Sequence, residues 1–261
     1  MKAITTQLNA RKESIQSLAN TNRNNFGPGT YSRILLELKR TFSLLRLLAD
    51  GLKDNDVKKA KKTLKLFQKA VEKVSELQEK EGFLKKFIPN TILKKYRTEL
   101  TKTKREEVQS FFTVMEGRIL QTLNKRFEKL AEAGEKISKK EFQSYLKRSQ
   151  KKIEKILSSP SINVVKMEKL SKRLFDYTFL EKSRGKQDKS LSLEKKENLL
   201  DSLNRYFDFE SMVEQMDALM AHEKTDKQEL KTLEKINIDL ENRKSEALNS
   251  FQALLKEGGF F

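Results

Sequence analysis

A basic, leucine-rich segment occurs twice in the sequence, half a chain apart. The first copy reads SRILLELKRTFSLLRLL (residues 32–48) and the second reads VKMEKLSKRLFDYTFLEK (residues 165–182). An offset of 133 positions aligns Arg33 with Lys166, Lys39 with Lys172, and Arg40 with Arg173. Apolar residues recur every three or four positions in both copies, which is the period of a helix with one buried face. The chain is therefore expected to fold as two related sets of helices.

The composition agrees with an all-helical fold. Among 261 residues there are three prolines, nine glycines, no cysteine and no tryptophan, so few positions interrupt a helix. The chain is 36% hydrophobic and 35% charged, a balance typical of amphipathic helices rather than of disordered chains. We predict the all-α class.

Local patterns predict eight helices. Their ranges are residues 5–19, 30–49, 57–81, 91–133, 138–157, 162–182, 192–222 and 225–257, with a bend of the fourth near Gly117. Ser138 and Glu141 form a capping-box pattern, Asp56 is the expected cap of the third helix, and Thr225 opens the eighth. The first four starts, shifted by the same offset, coincide with the second four within the error of such boundaries.

This order predicts a tandem of two four-helix bundle units that form one compact helical body with a basic groove. The boundaries are a single domain over residues 1–261, with a first repeat of about 1–134 and a second of about 135–261. In such bundles the apolar faces pack inward, and polar sites form between facing helices.

The net charge indicates that the ligands are anionic. Lysine and arginine exceed aspartate and glutamate by 18, and the isoelectric point is near 9.8. Such a balance favours nucleic acid, acidic membrane or phosphate polymers as partners. No apolar leader or membrane span is visible, and a cytoplasmic protein is expected.

No catalytic or metal-binding signature is present. The chain lacks a P-loop, a dinucleotide-binding turn and a catalytic-triad pattern. One histidine and no cysteine cannot build a histidine or thiolate metal site. His222, at the end of the seventh predicted helix, suits the negative end of the helix dipole. We expect no enzyme activity and no cofactor.

The repeated helices supply the candidate binding residues, because side chains seven positions apart share a helix face. The candidates are Arg33, Lys39, Arg40 and Arg46 in the first copy, and Lys166, Lys169, Lys172 and Arg173 in the second. The fourth helix adds a weaker basic cluster, which is interleaved with glutamates: Lys94, Lys95, Arg97, Lys102, Lys104 and Arg105. For any one of these side chains, a solvated face without a ligand is the alternative.

These segments resemble a known family, the CHAD domains (conserved histidine α-helical domains). LKRTFSLLRLL followed by LKLFQKAVEKVSEL is similar to the first CHAD repeat. SKRLFDYTFLE followed by LLDSLNRYFDFESMVEQM is similar to the second, with Asp208 at the family's acidic position. Lys39 and Arg40 match the paired basic positions of one repeat, Lys172 and Arg173 those of the other, and Arg46 a further basic position.

The chain departs from the CHAD pattern at several positions and looks like a diverged member that lacks the signature histidines. Ser32 and Val165 stand where the histidines are expected, Leu35 and Glu168 replace an arginine, and Phe42 and Phe175 replace another basic residue. The resemblance implies a helical domain whose basic groove binds inorganic polyphosphate, in association with polyphosphate granules.

Three functions follow from these patterns. The first is non-enzymatic binding of a polyanion, above all inorganic polyphosphate in a Lys/Arg-lined groove between the two repeats. The second is nucleic-acid binding by the same face, although the aromatic residues lie at helical spacing and are expected in the core. The third is a helical scaffold or protein-interaction module, with GGFF (residues 258–261) as a docking tail. The oligomeric state is not encoded in these patterns.

Overall fold

The computed structural model describes residues 2–21, 26–52, 55–116, 118–159, 161–183, 191–222 and 226–258. These residues contain nine α-helices and no β-strand. The helices are α1 (Lys2–Ala19), α2 (Pro28–Gly51), α3 (Asn55–Phe87), α4 (Lys94–Glu116), α5 (Ile119–Glu135), α6 (Lys139–Leu157), α7 (Val164–Lys182), α8 (Leu191–Met220) and α9 (Lys227–Glu257). The all-α prediction is confirmed.

The fourth predicted helix is two helices in the structure. α4 ends at Glu116, and α5 begins at Ile119 after Arg118, which occupies the N-cap position. Gly117, near which a bend was expected, lies outside the described residues. A glycine disfavours a helix interior by about 1 kcal/mol relative to alanine. In the second half of the chain the aligned position is Ser250, and α9 continues through it.

The structure confirms one predicted cap, and it revises one predicted helix start and one other predicted cap. The Ser138 backbone N–H donates to Glu141 Oε2 at 2.7 Å, and the Glu141 N–H donates to Ser138 Oγ at 3.2 Å. These bonds from Ser138 lower the pKa of Glu141. α9 is capped by Asp226, since its carboxylate accepts from the Gln228 and Glu229 N–H groups. Thr225, the predicted start, lies outside the described residues.

Asp56 is the other revision. It lies inside the first turn of α3, one residue after the helix begins, so it is not the N-cap. Its carboxylate instead approaches α5, with Arg126 Nη1 at 3.6 Å and Lys129 Nζ at 3.2 Å. Local spacing predicts caps well only where no distant charge competes for the carboxylate.

The chain divides into two compact units. The first comprises Met1–Gln78, Lys104–Lys151 and Phe179–Gln187, and the second comprises Glu79–Thr103, Lys152–Thr178 and Asp188–Phe261. The division falls within α3, α4, α6 and α7. These units group residues differently from the two sequence repeats, whose boundaries stay a prediction.

In the first unit, α1 lies antiparallel to α5. Thr5 Oγ1 donates to the Ala131 carbonyl at 3.3 Å, and Gln16 Nε2 donates to Asn124 Oδ1 at 2.6 Å. The helices are in close contact at Gly134, where an added Cβ would lie 3.1 Å from Ile4 Cγ2. A glycine at this position therefore lets α1 cover the apolar face of α5.

The aromatic residues form much of the core. Phe26, Tyr31, Phe111 and Phe112 form a cluster with ring centroids 4.8–5.5 Å apart. Of the aromatic residues that the sequence assigns to the core, five are buried (Phe42, Phe67, Phe111, Phe112 and Phe127), whereas Phe175 and Phe207 are partly exposed. The interpretation as core is confirmed for those five.

Tyr31→Phe is expected to stabilise the protein by about 1 kcal/mol at neutral pH, measured by urea denaturation. Tyr31 is 1% exposed, and its hydroxyl has no hydrogen-bond partner among the described residues. Its burial raises the pKa from 10.0 to about 12. Because the folded pKa is the higher one, Tyr31 ionises first in the unfolded chain, and the protein loses stability as pH rises from 10 towards 12. The variant should therefore lose less stability across that window.

Tyr206→Phe is the matched control for this prediction. Its hydroxyl donates to Glu210 Oε1 at 3.0 Å, so removing it should cost about 1 kcal/mol. Destabilisation by Tyr31→Phe as large as that of the control would contradict the prediction.

In the second unit, Arg97 stabilises the turn that joins α3 to α4 by hydrogen bonds to its backbone. Its Nη2 donates to the carbonyls of Leu84 at 3.2 Å, Ile88 at 2.9 Å and Pro89 at 3.3 Å, and its Nε donates to Ile92 at 3.3 Å. The Leu84 and Pro89 carbonyls also accept the backbone N–H groups of Ile88 and Ile92, so one guanidinium adds further bonds across the end of α3 and the turn. Arg97 is therefore a structural residue rather than a free member of the basic cluster predicted on this helix.

Leu93, in the same turn, is hydrogen-bonded to a residue of α9. Leu93 has a positive φ of 56° and is buried, and its N–H donates to Glu229 Oε1 at 2.7 Å. A left-handed conformation costs a non-glycine residue about 1–2 kcal/mol. Burial of the leucine side chain and the bond to Glu229 offset that cost.

Candidate functional site

The exposed face of α2 carries two of the predicted basic residues without partners. Arg33 and Lys39 are exposed, and their side chains make no ion pair or hydrogen bond with the described residues. Ile34, Leu38 and Leu45, on the opposite face, are buried. The amphipathic pattern thus fixes which side of α2 meets solvent and leaves both cations available to a ligand.

Arg40, beside them, belongs to a buried ion-pair cluster. Its Nη1 donates to Glu37 Oε1 at 2.7 Å, and Arg11 Nη1 of α1 lies 2.9 Å from Glu37 Oε2. Glu37 is 8% exposed, so two guanidinium groups compensate its desolvated charge. The cluster keeps one net positive charge, and the Arg40 side chain stays 34% exposed. Arg40 can therefore still present N–H groups to an anion.

Arg46, the fourth candidate on α2, is half-buried. Its Nη2 lies 3.3 Å from Ser43 Oγ. Phe42, which replaces a basic position of the CHAD pattern, is buried in the core. Towards its C-terminal end, α2 therefore presents less positive charge to solvent than the CHAD pattern implies.

The equivalent face of α7 also carries free cations. Lys169 and Lys172 are exposed and Arg173 is half-buried, and none of the three side chains has an ion pair or hydrogen bond within the described residues. Val165, at an expected histidine position, is 54% exposed on the same face. The position at which the CHAD resemblance implies a histidine thus lies on the solvent side of α7.

Lys166 differs from its aligned partner Arg33. Its Nζ donates to Ser159 Oγ at 2.5 Å and to the Ser161 carbonyl at 2.7 Å, in the segment that precedes α7. Two of its three N–H groups are used to hold that segment. Lys166 therefore has a structural role that Arg33 does not have.

The eight residues fall into two sets. Those of α2 belong to the first compact unit, and those at positions 166–173 of α7 belong to the second. We call the set Arg33, Lys39 and Arg40 the α2 stripe, and the set Lys169, Lys172 and Arg173 the α7 stripe. The groove that the sequence predicts between the repeats stays a prediction.

Sequence analysis missed two groups of cations. Arg11 joins the ion-pair cluster of Glu37 and Arg40 only because α1 packs beside α2, and no local pattern signals that contact. The other group is the run VKKAKKTLKLFQKAVEK (residues 57–73) on α3, whose lysines are exposed. Its signal was present in the sequence as a helix face with one acidic residue, Glu72.

His222 is not placed as a ligand. It follows the end of α8, as predicted, and its ring lies edge-on to Tyr96 with centroids 5.2 Å apart. Burial raises the pKa of Tyr96.

Among the described residues, no three histidine, cysteine, aspartate or glutamate side chains cluster as metal ligands would. Within the same ranges, no helix combines the length and apolar character that crossing a membrane requires.

Comparison with solved structures identifies the fold. The chain superposes on PptA from Streptomyces chartreusis with a TM-score of 0.72, over 98% of both chains and at 11% sequence identity. The two folds are similar throughout. Neither a protein-family model nor a curated protein sequence matches the chain. At this identity the likeness establishes the helical architecture, and the chemistry of the exposed stripes has to be argued from the residues themselves.

Proposed function

We propose that this protein is a non-enzymatic polyanion-binding protein and that its ligand is inorganic polyphosphate, bound by the α2 and α7 stripes. One observation carries the proposal: Lys39 and Lys172, at aligned positions of two related helices, are both exposed and lack acidic partners within the described residues. Basic residues that only face solvent and bind nothing would have no reason to recur at aligned positions of two helices.

The chemistry of the stripes suits a chain of phosphates. Lysine ammonium groups act as point charges, and the guanidinium groups of Arg33, Arg40 and Arg173 can each donate two parallel bonds to phosphate oxygens. Binding releases counterions condensed on the polymer, and this release supplies much of the free energy. No reacting group is needed, in keeping with the proposal that the protein is not an enzyme.

Two further observations support this ligand. The motifs around both stripes resemble CHAD repeats, and that family's implied ligand is polyphosphate. The fold is similar along nearly the whole chain to another helical protein, so the helices that carry the stripes belong to one shared architecture. The proposal includes a cytoplasmic location and association with polyphosphate granules.

Nucleic acid is the second candidate ligand, but the burial of the aromatic residues near the stripes favours polyphosphate over it. Single-strand binding proteins add exposed aromatic platforms on which the bases stack. Tyr31 and Phe42, each two positions from the α2 stripe in sequence, are buried, and Phe175, beyond the α7 stripe, is only partly exposed. The stripes therefore offer cations to phosphates but little exposed aromatic surface to bases, which favours polyphosphate over nucleic acid.

The proposal predicts salt-sensitive binding that single-stranded DNA does not displace. Long-chain polyphosphate is titrated into the protein at two salt concentrations, with single-stranded DNA as competitor. If the five unpartnered cations each neutralise one phosphate, the slope of log affinity against log salt should be about −3 or steeper, taking roughly 0.7 per phosphate of a single strand.

Two results of this titration would contradict the proposal. A slope near zero would show that the stripes do not contact the polymer. Equal displacement by DNA would show that the site reads charge without preferring polyphosphate, and would favour the nucleic-acid alternative.

A further inference from the structure

The most strongly charged helix face of the first unit lies on α3, outside both stripes. Six lysines of this face, Lys58, Lys59, Lys61, Lys62, Lys65 and Lys69, are exposed and have no acidic partner among the described residues. Lys73 extends the face and lies 3.7 Å from Glu107. Glu72, the one acidic residue between positions 58 and 73, accepts a bond from Gln68 at 2.6 Å. We call these seven lysines the α3 lysine face.

The opposite side of α3 fixes this face in place. Val57, Leu64, Phe67 and Val71 are almost completely buried. The lysines consequently form a rigid band rather than a flexible basic tail. At about 1.5 Å per residue, the band from residue 58 to residue 73 is roughly 22 Å long.

An exposed leucine lies in the middle of the α3 lysine face. Leu66 is 56% exposed, and lysines stand four positions before it, one before it, three after it and seven after it (Lys62, Lys65, Lys69 and Lys73). Of these, Lys62 and Lys69 are neighbours of Leu66 on the helix surface, and Lys73 lies on nearly the same face. A fully polar phosphate chain gains nothing from such a leucine, whereas the boundary between lipid headgroups and acyl chains accepts an apolar side chain surrounded by cations.

The composition of the face also argues against an ordered phosphate or nucleic-acid site. It contains no arginine, so it offers no bidentate fork, and the one aromatic residue of this stretch of α3, Phe67, is buried on the opposite side of the helix. Lysine acts as a mobile point charge on a long stem, which suits a diffuse anionic surface. Clusters of four to eight lysines on an amphipathic helix are typical of binding to acidic lipids.

We propose that the α3 lysine face docks the protein peripherally on an anionic lipid surface, with the lysines at the headgroups and Leu66 inserted between them. This activity is separate from polyphosphate binding by the α2 and α7 stripes, and each can hold or fail without the other.

Co-sedimentation of the full chain with vesicles tests the proposal. Vesicles of phosphatidylcholine mixed with phosphatidylglycerol should bind the protein at low salt, whereas pure phosphatidylcholine vesicles should not. A triple variant, Lys62→Ala, Lys65→Ala and Lys69→Ala, should bind the anionic vesicles roughly a hundredfold more weakly, because each lysine near such a surface contributes about a factor of five.

Leu66→Ser tests how much the apolar side chain contributes to binding of the vesicles. It leaves every charge in place and changes an exposed position, so the fold is retained. The affinity for anionic vesicles should fall about tenfold, and polyphosphate binding should be unchanged. Ile238→Ser, at a residue of α9 that is 60% exposed, is the matched control and should change neither affinity.

A charge-matched control separates this face from the overall charge of the protein. Lys147, Lys151 and Lys155 are exposed on α6, and replacing all three by alanine lowers the net charge by the same amount. That variant should lose less than fivefold in vesicle affinity. Equal losses from the α3 and α6 variants would overturn the proposal, as would full vesicle binding by Leu66→Ser or no binding by the wild type. Loss of polyphosphate rather than vesicle binding in the α3 variant would reassign the face to the polymer.

Discussion

Alanine at Lys39, Arg40, Lys172 and Arg173 together is expected to weaken binding of long-chain polyphosphate about a thousandfold at low salt. Each of these side chains can contribute one charge-assisted contact to a phosphate, and about 1 kcal/mol per contact is left after solvent screening. The four losses correspond to about 4 kcal/mol, or three orders of magnitude. Isothermal titration with polyphosphate measures the change directly.

The salt dependence provides a second measure from the same titration. Removal of four phosphate contacts should reduce the slope of log affinity against log salt by about 3. A variant that merely lost its fold would lose binding and its cooperative thermal transition together. Retention of that transition therefore identifies a true loss of contacts.

Two controls make this result specific. The double variant Lys39→Ala and Lys172→Ala breaks no ion pair within the described residues, so it should fold normally and lose about half of the effect on a logarithmic scale. A second control, alanine at Lys147, Lys151, Lys152 and Lys155 of α6, removes the same net charge. Equal losses from the α6 variant and the quadruple stripe variant would show that polyphosphate responds only to net charge.

The ion-pair cluster around Glu37 explains why Arg40 can be included in this variant. When Arg40 is replaced, Arg11 still lies 2.9 Å from Glu37 Oε2 and compensates its charge. Replacement of Arg11 and Arg40 together would leave a buried carboxylate without a cation, which costs about 3–5 kcal/mol. For this reason Arg11 is retained in every binding variant.

Arg97→Ala is expected to lower the free energy of unfolding by about 3 kcal/mol, seen as a lower midpoint in urea denaturation. Its guanidinium donates to the carbonyls that end α3 and to the turn before α4, at 2.9–3.3 Å. Bonds from a charged donor contribute about 1.5–3 kcal/mol each, and partial access of water to the freed carbonyls limits the total.

Arg97→Lys should recover only part of this stability, because one ammonium cannot reproduce the planar fork that reaches several carbonyls at once. Arg105→Ala is the matched control on the same helix, since Arg105 is exposed and has no partner within the described residues. The control should change stability by less than about 0.5 kcal/mol. An equally small effect of Arg97→Ala would show that water replaces the guanidinium without cost.

Much of the architecture could be predicted from local patterns. The helical class, most helix boundaries and the Ser138–Glu141 capping box follow from periodicity and from contacts within one turn. The same periodicity placed Arg33, Lys39, Lys169 and Lys172 on exposed faces. Such features involve residues that are near one another along the chain, so the sequence carries the information directly.

The roles of several charged residues could not be predicted in this way. Arg97 and Lys166 look like free surface cations in the sequence, yet both donate to backbone carbonyls in the structure. Asp56 looks like a helix cap, yet it pairs with Arg126 and Lys129 of α5. Each of these partners is set by how the segments pack, and a long flexible side chain takes whichever acceptor the packing brings within reach.

The sequence by itself determined that this protein is a chain of amphipathic helices, with cations at aligned positions of two of them. Only the tertiary structure decided which of those cations are available to a ligand. Packing of α1 beside α2 brings Arg11 to Glu37 and leaves Arg40 half-exposed. Burial of one side of α3 turns a lysine-rich run into a rigid face around Leu66. Helix periodicity is local, whereas the pairing of charges depends on contacts between residues that are distant along the chain.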